Sequence, residues 1–595
     1  MQTYCASAAG LKMNQVTCKM KRMGGGFGGK ETRAVFSAAA IAVAAQHLQK
    51  PVKITLDRHI DMATTGQRHA FKARYTASAD KSTGKLVAMD VQLYSNGGSG
   101  LDLSGPVMDR ALLHVDGCYH WPHFRAKGIV CKTNQPPHTA FRGFGGPQGI
   151  VVVETVVDHL ASAMGTDPAT LRADNFYQPG DIITFGTAWD TDKNIFNVPA
   201  VWDQVLNKAN VPARKAEVAA FNAANKHRKR GLALVPTKFG INFTAKFMNQ
   251  GGALVHVYTD GTVYVSHGGT EMGQGLHTKI AQIAAHTFGI GVEDVVIGSS
   301  DTDKVANGMP TAASMSNDLY GMATLDACKQ ILARLEPVAA SMAGKSFKDI
   351  VISAYFQRVD LSAHGFYKVS DERCGFDWDA PAPAGWAPAE GQNQMSFRGH
   401  PFNYFTQGVA CTEVEVDCLT GDHRILRTDC VVDLGASVNP AIDIGQVEGA
   451  FVQGMGWATT EEIMWGDSEH PWIRPAGRLH TAGPGTYKVP SFNDTPEQFN
   501  VSLFEHVQNR VCVHSSKAVG EPPFFLGASV VFAIRDALAS ARKDNGIVGF
   551  WQLNSPVTSE RIRMAVGDSI AGACIDAVNG AGSEDTSTFQ TLGSF

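Results

Sequence analysis

Residues 253–288 read ALVHVYTDGTVYVSHGGTEMGQGLHTKIAQIAAHTF. Two runs that alternate apolar and polar residues flank Asp260 and Gly261, a pair typical of the tight turn of a β-hairpin. A glycine-rich loop follows at residues 268–275, and the Ala-rich apolar run at 276–288 predicts a helix. The stretch therefore predicts one unit of two strands, a glycine loop and a helix.

This unit recurs along the chain, in whole or in part. Further hairpin turns are predicted at Thr83-Gly84 and Thr420-Gly421, each leading towards glycines. Copies or part-copies of the unit are predicted at residues 15–48, with a further strand at 52–56, and at 74–100, 141–164 and 410–455. The repetition of strand pairs and helices predicts an α+β fold.

The length of 595 residues predicts more than one packed lobe. The polar, Ala-rich and basic stretch at 213–230 is the weakest region, and it divides a first lobe (1–212) from a second (213–566). Residues 567–595 are predicted to be a flexible C-terminal tail. Because the chain runs straight into a helix-like stretch at 4–11, we expect that an upstream segment is missing.

Composition excludes several classes of protein. With 52 Lys and Arg against 56 Asp and Glu, the chain has no basic field for nucleic acid. Its eleven cysteines form no C-x-x-C pair, which argues against a disulfide framework, a zinc ribbon or an iron–sulfur cluster and favours the cytoplasm. The longest small-apolar run, residues 38–45, is too short to span a membrane.

The first glycine loop, residues 24–31 (GGGFGGKE), allows two nucleotide-binding interpretations. It matches G-x-G-x-x-G at Gly24, Gly26 and Gly29, and it matches the phosphate-binding P-loop except that Glu31 replaces the final hydroxyl residue. The strand before it is polar, unlike a central parallel strand. A non-catalytic nucleotide-binding or cofactor-binding protein that uses residues 24–29 remains an alternative.

Several glycine loops that precede helices favour a different ligand. Backbone N–H groups and positive helix ends from several loops suit one large anion. The alternative is that the glycines only allow helices to pack closely.

Six segments, in order, carry a resemblance to a known family. They are MGGGFGGKETR (23–33), TAFRGFGGPQG (139–149), GGTEMGQGLHTK (268–279), PTAAS (310–314), QVEGAFVQG (446–454) and KAVGEPP (517–523). Over residues 14–566 the chain resembles the molybdenum-binding part of xanthine dehydrogenases, which are molybdenum hydroxylases. The resemblance implies a molybdenum–molybdopterin cofactor and the hydroxylation of hypoxanthine to xanthine and of xanthine to urate.

Glu521 precedes the apolar run PPFFL. Loss of hydration in such surroundings makes a carboxylate a stronger base, although a helix-start glutamate that only stabilises the dipole is the alternative. The resemblance implies that Glu521 is the catalytic base. In the family this base removes the proton from a molybdenum-bound hydroxyl, whose oxygen attacks the purine while hydride passes to the sulfido ligand.

Glu31 and Arg110 could recognise the two edges of a purine, one by hydrogen bonding and the other by stabilising negative charge. The resemblance implies that both contact substrate, whereas aldehyde oxidases, the alternative, have uncharged residues at these places. Phe144 and Phe243 could hold a flat ring by stacking and edge contacts. The resemblance implies that they line the substrate site with Thr244.

No cluster of His and Cys at metal-ligand spacing stands out in the sequence. The resemblance implies instead that the pterin holds molybdenum and that the protein surrounds it. The positions implied to contact the metal's surroundings are Phe27, Arg142 and Ala313. The positions implied to hold the pterin or flank the metal are Met272, Gly273, Gln274, Ala312, Ser314 and Gln453.

Full xanthine dehydrogenases carry [2Fe-2S] clusters and FAD in domains ahead of the molybdenum part. The resemblance therefore implies that these cofactors belong to missing upstream domains, with a homodimer or a complex with those domains as the assembly. The family's first molybdenum-domain segment is also missing. We expect that the isolated chain neither reduces NAD nor retains tightly bound pterin.

Overall fold

The computed structural model describes residues 1–189, 195–390, 393–468, 470–505 and 508–579. The α-helices in this part are α1 (Gln2–Ala8), α2 (Ala34–Leu48), α3 (Arg58–Thr65), α4 (Ser104–Leu112), α5 (Gly146–Met164), α6 (Pro168–Asp174), α7 (Val198–Lys208), α8 (Val211–Ala224), α9 (Leu276–Phe288), α10 (Ser316–Ser341), α11 (Phe347–Phe356), α12 (Pro440–Ala458), α13 (Ser529–Asp544), α14 (Ser559–Ala565) and α15 (Ser569–Asn579).

The strands are β1 (Lys19–Met20), β2 (Phe71–Ala79), β3 (Leu86–Gly98), β4 (His123–Lys132), β5 (Arg228–Ile241), β6 (Gln250–Val257), β7 (Val263–His267), β8 (Val295–Ile297), β9 (Ser300–Asp301), β10 (Ser362–Lys368), β11 (Tyr404–Asp417), β12 (His423–Asp433) and β13 (Gln498–Leu503). Short 3-10 helices are at Met13–Gln15, Lys246–Met248, Val292–Asp294, Asp371–Arg373, Ser396–Arg398, Phe492–Asp494, Val513–Ser515 and Pro522–Ala528.

Three of the sheets share one plan. The hairpins β2–β3, β6–β7 and β11–β12 are antiparallel, and a strand that follows the next helix returns to pair in parallel with the second hairpin strand. The returning strands are β4, β8 and β13. The outer strands β10 and β5 extend two of these sheets. The prediction of an α+β fold built from repeated units is confirmed, and each repeat gains a returning strand that the sequence pattern did not predict.

The predicted hairpin turns form because each has the same local chemistry. Gly84, Gly261 and Gly421 have φ of 71°, 89° and 79°, the left-handed conformation that glycine adopts without strain. Beside the second of these turns, Asp260 accepts a hydrogen bond from the N–H of Thr262 at 3.0 Å. The turns are therefore fixed by residues next to one another in sequence.

Two predicted strands are wrong. Within residues 15–22 only Lys19–Met20 is a strand, which pairs with β9, and residues 52–56 form no strand. The helix predicted at 4–11 is Gln2–Ala8. Because a strand needs a neighbour to accept its hydrogen bonds, the alternating pattern at 52–56 is not sufficient. The loop at 24–29 therefore does not lie in the strand–helix–strand unit that the dinucleotide interpretation requires.

One hydrophobic core joins residues on both sides of position 213. Val91 and Val157, from β3 and α5, share a buried cluster with Leu234 and Cys411, from β5 and β11. The division into lobes 1–212 and 213–566 stays a prediction. Of the predicted tail, Ser569–Asn579 is a helix, and residues 580–595 lie outside the described residues.

Within the described ranges, one unbroken segment is long and apolar enough to cross a membrane, Pro522–Asp544. Its most apolar stretch is 78% buried inside the fold, so it serves as a core helix.

Candidate functional site

Glu521 is held between two loops that are distant in sequence. It stands directly before the 3-10 helix Pro522–Ala528. Its Oε1 accepts a hydrogen bond from the N–H of Gly143 at 2.9 Å, and its Oε2 accepts one from the Ser314 hydroxyl at 3.1 Å. The Glu521 N–H in turn donates to that hydroxyl at 2.9 Å. The carboxylate is therefore fixed by residues from two other motif segments, 139–149 and 310–314.

Arg142, next to Gly143, joins two further motif segments, 23–33 and 446–454, to this point. Its Nε donates to the Gly520 carbonyl, and its Nη1 donates to Gln453 Oε1 at 3.0 Å. Its Nη2 donates to the side-chain oxygen of Gln446 at 3.1 Å. Gln446 and Gln453 lie two turns apart on α12 and so share a face. The N–H of Arg142 donates to the carbonyl of Phe27 at 2.7 Å.

The first glycine loop lies against the second loop and the third. A Cβ at Gly28, where φ is 101°, would lie 2.7 Å from the carbonyl oxygen of Ala140. One at Gly26 would lie 2.6 Å from the sulfur of Met272. At Gly28, where the close atom belongs to the backbone, glycine is therefore needed for one loop to approach the other, as in the packing interpretation of the glycines.

The third loop satisfies most of its own N–H groups. The buried carboxylate of Glu271 accepts hydrogen bonds from Gly273 at 2.8 Å, Gly275 at 3.1 Å and His277 at 2.9 Å. The side-chain oxygen of Gln274 accepts one from Met272 at 2.6 Å. In this arrangement an internal carboxylate accepts the hydrogen bonds of three N–H groups at this helix start, and the binding of an anion by this loop stays a prediction. Sequence reasoning missed this role of Glu271.

The fourth loop presents a different turn. Ala313 and Ser314 have φ of 53° and 57°, which costs free energy for residues other than glycine. In the described part of the chain, the N–H groups of these two residues make no hydrogen bond. Successive N–H groups in such a turn can bind an anion. Thr311 accepts a hydrogen bond from the N–H of Thr270 at 2.9 Å, which joins this loop to the third.

Glu31 lies near two other acids. Burial, followed by repulsion from Glu521 and Asp102, raises the pKa of its carboxyl group to about 7. Near neutral pH it is therefore protonated part of the time, and it can either donate or accept a hydrogen bond.

Arg110 is 2% exposed and is held by main-chain carbonyls. Its Nη1 donates to Gly240 at 2.9 Å and its Nη2 donates to Asn242. Its Nε is buried and has no partner among the described residues. Burial lowers the pKa of Arg110, and the negative charge of Glu521 opposes this effect, so the two groups interact electrostatically.

The two predicted aromatic residues, Phe144 and Phe243, lie beside this region. Phe144, with φ of 52°, is half-buried, and its ring centroid is 6.0 Å from the guanidinium carbon of Arg110. Phe243 is buried in a cluster that Ala312 and Ala313 also contact. Thr244 is half-buried, and its hydroxyl makes no hydrogen bond to the described residues. The structure therefore brings both phenylalanines to the region where the loops converge.

Arg68 is a site residue that sequence reasoning missed. It lies between α3 and β2, outside every motif segment, and its Nη2 donates to the Arg142 carbonyl at 2.7 Å. Glu461 and Tyr487 are its acidic and phenolic neighbours. No local pattern distinguishes this arginine, because its partners become neighbours only on folding.

The donors present fit a large anionic group better than a metal bound by side chains. Within the described ranges, no group of three or more His, Cys, Asp and Glu could hold a metal ion. The guanidinium groups of buried Arg110 and Arg142 and of half-buried Arg68 each interact electrostatically with Glu521. Burial lowers the pKa of Arg142 to about 10, so it stays charged. These three arginines, two of them buried, and the free N–H groups at 313–314 suit an anionic cofactor such as molybdopterin.

Two family models match the chain. Both are described as molybdopterin cofactor-binding domain, one over residues 1–176 and the other over residues 204–496.

Full-length relatives share about half of the aligned residues. Xanthine dehydrogenase of Oryza sativa subsp. japonica is 52% identical over 569 residues, which are 96% of this chain and 40% of the relative. Xanthine dehydrogenase/oxidase of Gallus gallus is 47% identical over 579 residues, 97% of this chain and 40% of the relative. The chain thus spans about 40% of the length of these relatives.

Solved structures share the fold. Quinoline 2-oxidoreductase from Pseudomonas putida 86 matches with a TM-score of 0.79 and 21% identity, over 95% of this chain and 70% of that one. Aldehyde oxidoreductase from Desulfovibrio gigas matches with a TM-score of 0.77 and 23% identity, over 95% of this chain and 56% of that one.

Proposed function

The chain belongs to the molybdopterin cofactor-binding family, and on this premise we propose that it is the purine-hydroxylating portion of a xanthine dehydrogenase. One observation carries the proposal: the Glu521 carboxylate is fixed between Gly143 and Ser314, at the point where the other motif segments meet. The xanthine dehydrogenases that match this chain at about half identity support the choice of purines.

The cofactor would lie among the loops that surround Glu521. When bound, the molybdenum–molybdopterin group supplies the transferred oxygen and takes up the electrons of the oxidation. Phe27, Arg142 and Ala313 would contact the surroundings of the metal. The residues that would hold the pterin or flank the metal are Met272, Gly273, Gln274, Ala312, Ser314 and Gln453.

In this proposal Glu521 takes up the proton that the reaction releases. Two hydrogen bonds hold its carboxylate in one orientation, which removes the cost of orienting a base during the reaction. Arg142 donates a hydrogen bond to the carbonyl of Gly520, so the peptide bond that precedes Glu521 is also fixed.

The two edges of the purine would be recognised by Glu31 and Arg110. Glu31, with a pKa of about 7, can donate to a ring nitrogen or accept from a ring N–H. The unpartnered Nε–H of Arg110 would donate to a purine carbonyl, and its charge would stabilise negative charge that develops on the ring. Phe144 and Phe243 would contact the face and the edge of the ring, with Thr244 nearby.

We assign the remaining functions of the whole enzyme to the part of the relatives outside the match, which is about three-fifths of their length. That part would carry the [2Fe-2S] clusters and FAD and would pass electrons onward. The assembly would be a homodimer, or a complex with those domains, that acts in purine catabolism in the cytoplasm.

The test of the base uses protein from a host that makes molybdopterin, with the missing part of a xanthine dehydrogenase co-expressed. Glu521→Gln keeps the shape of the side chain but removes the base, so we expect kcat for urate formation to fall roughly 100- to 10,000-fold. Molybdenum and pterin contents, measured by mass spectrometry and by fluorescence, should not change. Glu217→Gln on the exposed face of α8 is the matched control. An unchanged kcat in Glu521→Gln would disprove the role of the base.

The aldehyde oxidase alternative is tested by substrate preference. In the proposal, Glu31→Val with Arg110→Met removes both charged purine contacts, so xanthine turnover falls and aldehyde turnover rises. Wild-type protein that oxidises aldehydes in preference to xanthine would favour the alternative.

A further inference from the structure

We infer that Arg68 is a positioning residue. Its guanidinium fixes the loop that carries the Gly143 N–H relative to the turn that carries Glu521. This inference rests on the proposed function of Glu521 as the base. Among the described residues, Arg68 makes no hydrogen bond or ion pair to that carboxylate, so it acts through other residues.

The first step of the argument is the loop that carries Gly143. Arg68 donates from Nη2 to the carbonyl of Arg142 at 2.7 Å and from Nη1 to the carbonyl of Phe141 at 3.4 Å. The peptide bond that begins with the Arg142 carbonyl ends with the Gly143 N–H, which donates to Glu521. Because a peptide unit is planar, fixing this carbonyl also fixes the direction of that N–H.

The second step is the turn that carries Glu521. The guanidinium carbon of Arg68 lies 4.3 Å from the ring centroid of Phe524, and the N–H of Phe524 donates to the Glu521 carbonyl at 3.0 Å. The same guanidinium carbon lies 5.4 Å from the ring of Trp457, on the helix α12 that carries Gln453. One planar group therefore contacts the loop, the turn and the helix that meet at the base.

The third step is the electrostatic cost of the arrangement. Among the described residues, Arg68 makes no ion pair, although Glu461 lies near it and accepts a hydrogen bond from Tyr487. Burial lowers the pKa of Arg68 to about 10, which leaves it charged at neutral pH. Arg68 is half-buried, and a cation that is partly removed from water without a contacting anion costs free energy. The fold tolerates this cost at a position that supports the proposed base.

The test compares Arg68→Met, Arg68→Lys and the control Arg74→Met. Methionine fills a similar volume but has no hydrogen-bond donors and no charge. Lysine keeps the positive charge but lacks the planar guanidinium with its several N–H donors. Arg74 lies exposed on β2 with its guanidinium 5.9 Å from the ring of Tyr94, so it matches the ring contact away from the site.

The first measurement does not depend on catalysis. Amide hydrogen exchange of peptides covering 139–146 and 517–524 should quicken about tenfold or more in Arg68→Met, less in Arg68→Lys and not at all in the control. The second is kinetic: a base that is misplaced by even ~1 Å can lose about 100-fold in kcat. We expect kcat to fall in the same order, with KM changed less than about threefold because Arg68 does not contact substrate.

Unchanged exchange and unchanged kcat in both Arg68 variants would overturn the inference. If Arg68→Met does not fold, Arg68→Lys decides alone, by the same two measurements. Faster exchange in a protein whose wild type does not oxidise purines would retain the positioning role and reject the proposed function. Purine oxidation with wild-type kcat in both Arg68→Lys and Arg68→Met would reject the positioning role and retain the proposed function.

Discussion

Glu31, for which we propose a role in substrate recognition, has a cost to stability that depends on pH. Its pKa in the folded chain is about 7, against 4.5 for an ordinary glutamate. Between these pH values the unfolded chain has released a proton that the folded chain still holds. The free energy of unfolding therefore falls as pH rises through this window, by roughly 3 kcal/mol at most.

We predict that Glu31→Gln removes this dependence. The variant should gain stability over the wild type at pH 7.5 and show little difference near pH 4.5, which urea unfolding at several pH values would measure. Asp102→Asn is the control, because loss of one repelling carboxylate should lower the pKa of Glu31 and flatten the slope only in part. Parallel pH profiles for wild type and Glu31→Gln would contradict the prediction.

At this scale, motif resemblance predicted side chains that the structure brings together around Glu521, but not all of the residues that contact them. Glu521, Arg142, Ser314 and Gln453 were chosen from their segments, and the structure brings them together. Arg68 is not predicted from its segment, because its hydrogen-bond partners lie more than 70 residues away in sequence and leave no local pattern. Roles for Glu31 and Arg110 stay predictions.

At the scale of elements, α2 stands apart from the other long helices. It is as apolar as a core helix, yet none of its side chains is buried, and Phe36 is 65% exposed. By contrast, α5 is a long apolar helix with twelve buried residues. Because packing supplies most of the stability of helices in proteins, α2 should open far more readily than α5.

We predict that amide hydrogens of α2 exchange at least about 100-fold faster than those in the middle of α5. Mass spectrometry of peptides from both helices in one sample would measure this difference, and α9, buried and similar in length to α2, is an internal control. Equal protection of α2 and α5 would contradict the prediction and would show that α2 is covered in solution.

Hairpins and helices were predictable where their determinants are local. The turns at Gly84, Gly261 and Gly421 and the helices α2 and α9 formed where the sequence predicted them. The returning strands β4, β8 and β13 were not predicted, since a parallel pair joins residues separated by a whole helix. The strand predicted at 52–56 failed for the same reason, because pairing depends on a distant partner.

At the scale of the whole molecule, buried ion pairs cross the predicted division at residue 213. Lys238 on β5 donates to both carboxylate oxygens of Asp116, at 2.9 and 2.8 Å, and Tyr177 donates to the same group at 2.7 Å. Arg535 on α13 also forms an ion pair with Asp158 on α5, and this pair crosses the same division. With the shared hydrophobic core, these contacts favour unfolding of residues 1–212 and 213–566 as one unit.

The pair of Lys238 and Asp116 tests this cooperativity. Asp116→Asn leaves a lysine that is 1% exposed without an anion, which should cost about 3–5 kcal/mol. Lys238→Met combined with Asp116→Asn removes both charges, so it should recover most of that loss. Urea unfolding followed by tryptophan fluorescence and by circular dichroism should give coincident transitions that shift together in each variant. Two separate transitions, with only one shifted by Asp116→Asn, would show that residues 1–212 and 213–566 unfold independently. A double variant as unstable as Asp116→Asn would show that the unpaired charge of Lys238 is not the cause of the lost stability.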